Sequence, residues 1–243
     1  MDLGRHQFCE LWQKVGLIAL ISGCALSVPA FGDPLRCDDE MFTVISEDRA
    51  ITEQLCIMPS QIRDELGACG LLQNHALTIE VTPELSHPMG KCLAYYDCEF
   101  ELIRITDPAT HASLIEDDND QPYVQMPAEV ALRALLTHEL AHALATHSSE
   151  GRQIGLVDQE YIAASMEMEL MDEKWRDVFL GLNPVDLPPK EELIHVWIYG
   201  MSPRKFAVNA WQHFQLQENG CELIQRLVEG KQSFSKAVRP DLR

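Results

Sequence analysis

The stretch AEVALRALLTHELAHALATH, residues 128–147, decides how this chain is read. It contains no Gly or Pro, and its Ala and Leu content strongly favours helix. Val130, Leu132, Leu135, Leu136, Leu140, Ala141, Ala143 and Leu144 make it apolar on every face, the signature of a buried helix. His138, Glu139 and His142 interrupt it, and burying such groups is costly unless each has a partner. His138 and His142 are four apart, so they stand one turn apart on one face, where two imidazoles can converge on a single metal ion. Glu139 sits about 100° round from His138 and can reach a water on that metal without ligating it. The alternative is a core helix whose histidines are satisfied by hydrogen bonds. Two histidines and a glutamate in an Ala/Leu helix are hard to satisfy that way.

The spacing is H-E-x-x-H, the zinc-helix pattern of metallopeptidases. A catalytic zinc needs a third protein ligand and an open position for water. One extension of the pattern places a Gly and a final His where this chain has Ala145 and Ser148, so it does not apply. His147 points about 140° away from His142 and cannot substitute. The other solution is a glutamate on a following helix. Residues 158–167, DQEYIAASME, supply one: Asp158 reads as an N-cap, Glu160 falls in the first turn, and Ala163 and Ala164 are small enough for close helix approach. Over about residues 128–170 this arrangement resembles the gluzincin branch of the zincin metallopeptidases. The resemblance implies one zinc per chain held by His138, His142 and Glu160, with Glu139 as general base. Glu167, two turns beyond Glu160 on the same face, is the runner-up ligand or a carboxylate orienting a zinc-bound His. The chain departs from the thermolysin-like pattern at Ala164, where an acidic residue supports a zinc His. That support must come from elsewhere.

Upstream, Arg5 and Lys14 precede an apolar run, Val15–Val28, too short to span a membrane comfortably. Residues 1–32 therefore read as an export signal, cut after Ala30 or Gly32. The competing readings are an uncleaved anchor and a lipobox, Ile21-Ser-Gly-Cys24, with Cys24 lipidated. The expected location is periplasmic or secreted, or lipid-anchored through Cys24. Residues 33–243 are one domain's worth. The formal net charge of −19 excludes nucleic acid and anionic membrane as partners of the general surface. Beyond the signal lie Cys37, Cys56, Cys69, Cys92, Cys98 and Cys221, an even number that suggests disulfides in an exported chain. Cys92 and Cys98 flank a short stretch and can close a hairpin, and the N-terminal part as a whole reads as stapled.

Residues 47–69 read as one or two short helices broken near Pro59. Residues 76–81 (ALTIEV) and 98–106 (CEFELIRIT) read as strands. By the resemblance, 98–106 is the candidate cleft rim, along which an extended peptide can pair. The acidic run 116–120 reads as a solvated loop, and Pro127 opens the motif helix. The glutamate helix is expected to run to about Leu180. A Pro-rich connection, 181–189, leads to helices over about 190–200, 203–217 and 220–229, and the basic tail after Gly230 reads as loose.

The expected fold is α+β, mainly α: a disulfide-stapled part (33–126) with a small sheet, the two site helices (127–180) and a helical C-terminal part (181–243). The expected activity is zinc-dependent hydrolysis of a peptide or protein substrate. Gluzincins add a donor that binds the oxyanion, and His195, Tyr199, Arg204, His213 and Tyr161 are the candidates. Of these, Tyr161 and His195 are selected. Two rivals are a metal-binding protein without turnover and a metal-free, disulfide-stapled structural protein.

Overall fold

The computed structural model describes residues 33–87, 90–111 and 122–236, with the side chains of 86–91 and 236 left aside. Residues 1–32, read above as an export signal, the acidic run 116–120 and residues 237–243 lie outside these. Strands β1 (Leu35–Arg36) and β2 (Phe42–Ile45) lead into helices α1 (Arg49–Leu55) and α2 (Met58–Gly67). The break between them falls at Cys56-Ile57, and Pro59 sits in the first turn of α2, where its missing N–H costs nothing. Strand β3 (Leu77–Thr82) follows, then a separate hairpin of β4 (Leu85–His87) and β5 (Gly90–Cys92), then β6 (Ala94–Asp97) and β7 (Leu102–Thr106).

The main sheet has the order β1-β2-β3-β7-β6. β2, β3 and β7 run parallel, and β1 and β6 run antiparallel to their neighbours at the two edges. The helices α1 and α2 form the crossover that a parallel pair requires. Two expectations change here. The strand expected over 98–106 begins only at Leu102, because Glu101 adopts φ 49° and turns the chain out of β6. The sheet edge is consequently β6, and the strand expected as the rim, cut back to Leu102–Thr106, lies one place in from it.

A short helix α3 (Pro122–Gln125) precedes the motif helix α4 (Ala128–Ser148), which Pro127 opens as expected. The glutamate helix α5 (Leu156–Leu170) packs along α4, with Ala163 and Ala164 buried between them. It does not reach Leu180: the chain turns extended at Met171 and restarts as α6 (Glu173–Leu182). Asp158 is not the N-cap, a position taken by Gly155. It lies inside the first turn and is buried. A 3-10 turn (Glu191–Leu193), α7 (Val196–Met201), α8 (Pro203–Gln215) and α9 (Gly220–Val228) complete the C-terminal part.

One apolar cluster runs from Cys37 to Phe234 and draws on the sheet, α2, α4, α5, α8 and α9. The helix α4 is buried on nearly every side, with Leu136, Leu140, Ala141, Ala143 and Leu144 inaccessible. The class is α+β, mainly α. Disulfides join Cys37 to Cys56 and Cys69 to Cys221. The second ties the N-terminal part to α9 across 152 residues, so the staples are not confined to the N-terminal part. The pairing of Cys92 with Cys98 is not formed: Cys92 is a free thiol, while Cys98 is disulfide-bonded. The tail is not loose up to Lys236, since Phe234 is buried against α5. No helix of the described residues is long and apolar enough to cross a membrane.

Candidate metal centre

The helix α4 carries His138 and His142 toward α5, and α5 returns Glu160 from the start of its second turn, not from the first turn as expected, because the helix begins at Leu156. His138 Nε2 lies 3.6 Å from Glu160 Oε2, and His142 Nε2 lies 3.8 Å from Glu160 Oε1. The three groups bring their ligand atoms within 4.8 Å of one another. Ligands ~2.0–2.1 Å from a tetrahedral zinc stand about 3.3 Å apart, so the donor set is one that ion takes, and the 3.6 and 3.8 Å gaps are wider than a bound zinc would hold.

Each imidazole is held through its other nitrogen. His138 Nδ1 is 2.9 Å from Glu167 Oε2, and His142 Nδ1 is 3.3 Å from Gln159 Oε1. Both contacts fix the tautomer that leaves Nε2 facing the centre. Glu167 is buried, and its other oxygen accepts from Tyr123 Oη at 2.5 Å. The support that Ala164 cannot give thus comes from Glu167, one turn further along α5.

Glu139 is buried beside this group, and the backbone N–H of Tyr96 on β6 donates to its carboxylate. Burial pushes the Glu139 carboxyl up to about 7. His138 and the Tyr96 N–H pull it down, and the charges of Glu160 and Glu167 push it further up. A carboxyl so placed can take and give a proton near neutral pH. Burial alone would depress His138, but Glu160 and Glu167 outweigh it and hold His138 well above its ordinary value. His142 falls below its ordinary value, mainly through burial, with His138 beside it working in the same direction. Burial works to raise Glu160, yet His142, His138 and a hydrogen bond from Tyr199 keep it ionised and below its ordinary value.

A cavity of about 260 Å³ opens onto His138, Glu139, Glu160, Tyr199, Arg204 and the β6 residue Ala94. Neither selected donor reaches it. Tyr161 is fully buried, and its hydroxyl meets His213 Nδ1 at 3.0 Å. One step from Glu160 on a helix is about 100°, which turns Tyr161 into the core. His195 caps α7, accepting from Trp197 N. Tyr199, four residues on, is the hydroxyl that faces the cluster. Gln159 and Tyr123 were not foreseen. Gln159 could have been, since residues flanking a ligand are natural supports, but Tyr123 comes from a short helix with no local signal.

The fold and this cluster define a chain that presents two histidines and a glutamate from adjacent helices beside an antiparallel sheet edge. It belongs to the family described as a family of unknown function, DUF6639, whose model matches residues 42–237. No curated protein and no solved structure matches the chain.

Proposed function

We propose that this protein is an exported zinc-dependent metallopeptidase of gluzincin type. The observation that carries the reading is the convergence of His138, His142 and Glu160, with His138 and Glu160 opening onto the cavity that Glu139 also lines. Zinc bound there would supply Lewis acidity, polarising a scissile carbonyl and lowering the pKa of a water. Glu139 takes the proton from the attacking water and delivers it to the leaving amine. The Tyr199 hydroxyl, bonded to Glu160, is the donor nearest to hand for the developing oxyanion. The strand β6 offers the peptide a place to lie. Leu93 O accepts from Thr106 N on the sheet side, so the alternate residues Ala94 and Tyr96 turn their backbone groups outward, toward the cleft. The Tyr96 N–H bond to Glu139 agrees with that direction. An extended substrate pairing with this edge would pass over the cluster. The export reading has the support of two disulfides, which suit an oxidising compartment.

The test is zinc content of the purified protein together with turnover of a mixed fluorogenic peptide library, for wild type and Glu139→Gln. The reading expects about one zinc per chain in both and turnover in the wild type alone. Full activity in Glu139→Gln would refute the mechanism. Zinc without turnover in either would favour a binding protein, and no zinc after supplementation would make α4 an ordinary core helix.

A further inference from the structure

The C-terminal segment reads from the sequence as a loose basic tail, yet its last described residues are fastened to the helix that carries Glu160. Asp158 is 2% exposed, and a buried carboxylate must be satisfied. Ser233 Oγ donates to its Oδ2 at 2.6 Å and Phe234 N to its Oδ1 at 2.7 Å. The Phe234 ring is buried, 4.7 Å from Tyr161 and 5.8 Å from His213. Ser235 lies over the N-cap: a Cβ at Gly155 would come within 2.6 Å of Ser235 Oγ. That N-cap has no side-chain capping bond of its own. The first turn of α5 is therefore held from outside the helix, by residues some 75 positions later in the chain.

The two residues after Asp158 are Gln159, which holds His142 Nδ1, and Glu160, which faces both histidines. A displacement of the first turn by about 1 Å would move both at once, enough to spoil a site that needs sub-ångström placement. We propose that Ser233–Lys236 is a strap that fixes the first turn of α5 and, through it, Gln159 and Glu160, with Asp158 as the positioning residue through which it acts. This rests on the reading of His138, His142 and Glu160 as metal ligands. It adds that the metal and the C-terminal segment are linked, and linkage is reciprocal: a docked strap raises zinc affinity, and bound zinc holds the strap down.

The experiment uses the full chain and zinc alone. Zinc affinity is measured by competition with a chromophoric chelator for wild type, Ser233→Ala, Ser233→Thr and Phe234→Ala. Hydrogen exchange is followed over residues 232–236 with and without zinc. The strap expects Phe234→Ala to weaken zinc about tenfold, the lower end of what residues supporting a ligand are worth. Ser233→Ala should weaken it a few-fold, and Ser233→Thr, which keeps the hydroxyl, should restore it. Zinc should slow exchange in 232–236 more than in the remote Gly220–Val228 helix. Unchanged zinc affinity in both Ser233→Ala and Phe234→Ala would overturn the strap, even if the metal-free protein melted lower, because lost packing alone would do that. A wild type that binds no zinc would overturn the metal reading and the strap together, whereas wild-type binding with unaltered variants would overturn the strap alone.

Discussion

Replacing Glu167 separates a residue that supports the metal from one that binds it. Its two oxygens are both engaged, one with His138 Nδ1 at 2.9 Å and one with the Tyr123 hydroxyl. In Glu167→Ala the Nδ1–H of His138 loses its acceptor at a site where the replaced side chain was 2% exposed. An orphaned donor of that kind costs about 1–3 kcal/mol. Because the imidazole is then free to rotate or change tautomer, much of that cost falls on zinc binding. Two kcal/mol corresponds to about thirtyfold in affinity, within the ~10–100-fold usual for residues behind a ligand. Glu167→Gln keeps an acceptor for Nδ1–H but loses the charge, and a charge-assisted hydrogen bond is about twice as strong as a neutral one. Roughly 1 kcal/mol is lost, or about fivefold. The assay is chelator competition near neutral pH, with Glu160→Ala alongside. The expected order is wild type, Glu167→Gln, Glu167→Ala, then Glu160→Ala, which should not retain stoichiometric zinc. Wild-type affinity in Glu167→Ala would refute the support role. Zinc lost in Glu167→Ala but kept in Glu160→Ala would exchange the two glutamates.

Tyr199→Phe should keep zinc and lower kcat about 10²-fold, the scale of losing one oxyanion donor, as read by peptide turnover and metal content. Leu140→Ala, at a position with no exposure, should destabilise the fold by about 2–5 kcal/mol in a denaturant titration. Opening the Cys69–Cys221 bridge by a double Ser substitution releases a constraint across 152 residues; loop closure values it at about 5 kcal/mol, read in the same titration. Burial works to raise the Asp39 carboxyl, but bonds from Met41 N, Ser60 and Arg63 outweigh it and hold it below its ordinary 3.8. A carboxylate depressed on folding adds stability that is present above its unfolded pKa and lost as pH falls through the folded one. Asp39→Asn should therefore destabilise the protein at neutral pH and flatten the acid limb below about pH 4.

What the sequence disclosed follows from how local each signal is. His138, Glu139 and His142 lie within five consecutive residues, so helical geometry alone puts them on adjoining faces. Glu160 was within reach because Ala163 and Ala164 advertise a close helix pair. The start of the strand is illegible locally because CEFELIRIT alternates convincingly from Cys98, and nothing in it says that Glu101 adopts φ 49° and starts a new strand at Leu102. The helix break at Met171 lacks Gly and Pro; its only mark is Asp172, which stands at the N-cap position of the next helix without a side-chain capping bond. Tyr161 adjoins Glu160 in sequence but not in space, which favours it over Tyr199 on sequence alone, and Asp158 resembles a cap locally because Ser233 and Phe234, which bond it, lie 75 and 76 residues away.

The acids at the centre give the site its sense. Glu139, Glu160 and Glu167 are each no more than 7% exposed and share one cavity wall in a chain of net charge −19. Packing three carboxylates so closely is unfavourable unless cationic charge stands among them. The chain's own answer is His138, drawn toward the charged form by Glu160 and Glu167, and the partly buried Arg204 at the cavity edge. A divalent ion between the two Nε2 atoms and Glu160 would meet the same need with more charge, and it would free His138 of its extra proton. The arrangement that makes the metal-free cluster electrostatically costly is thus one that a bound cation would relieve. In the metal-free cluster the neighbouring Glu139, pushed up to about 7 chiefly by burial, is the carboxyl with a proton to exchange.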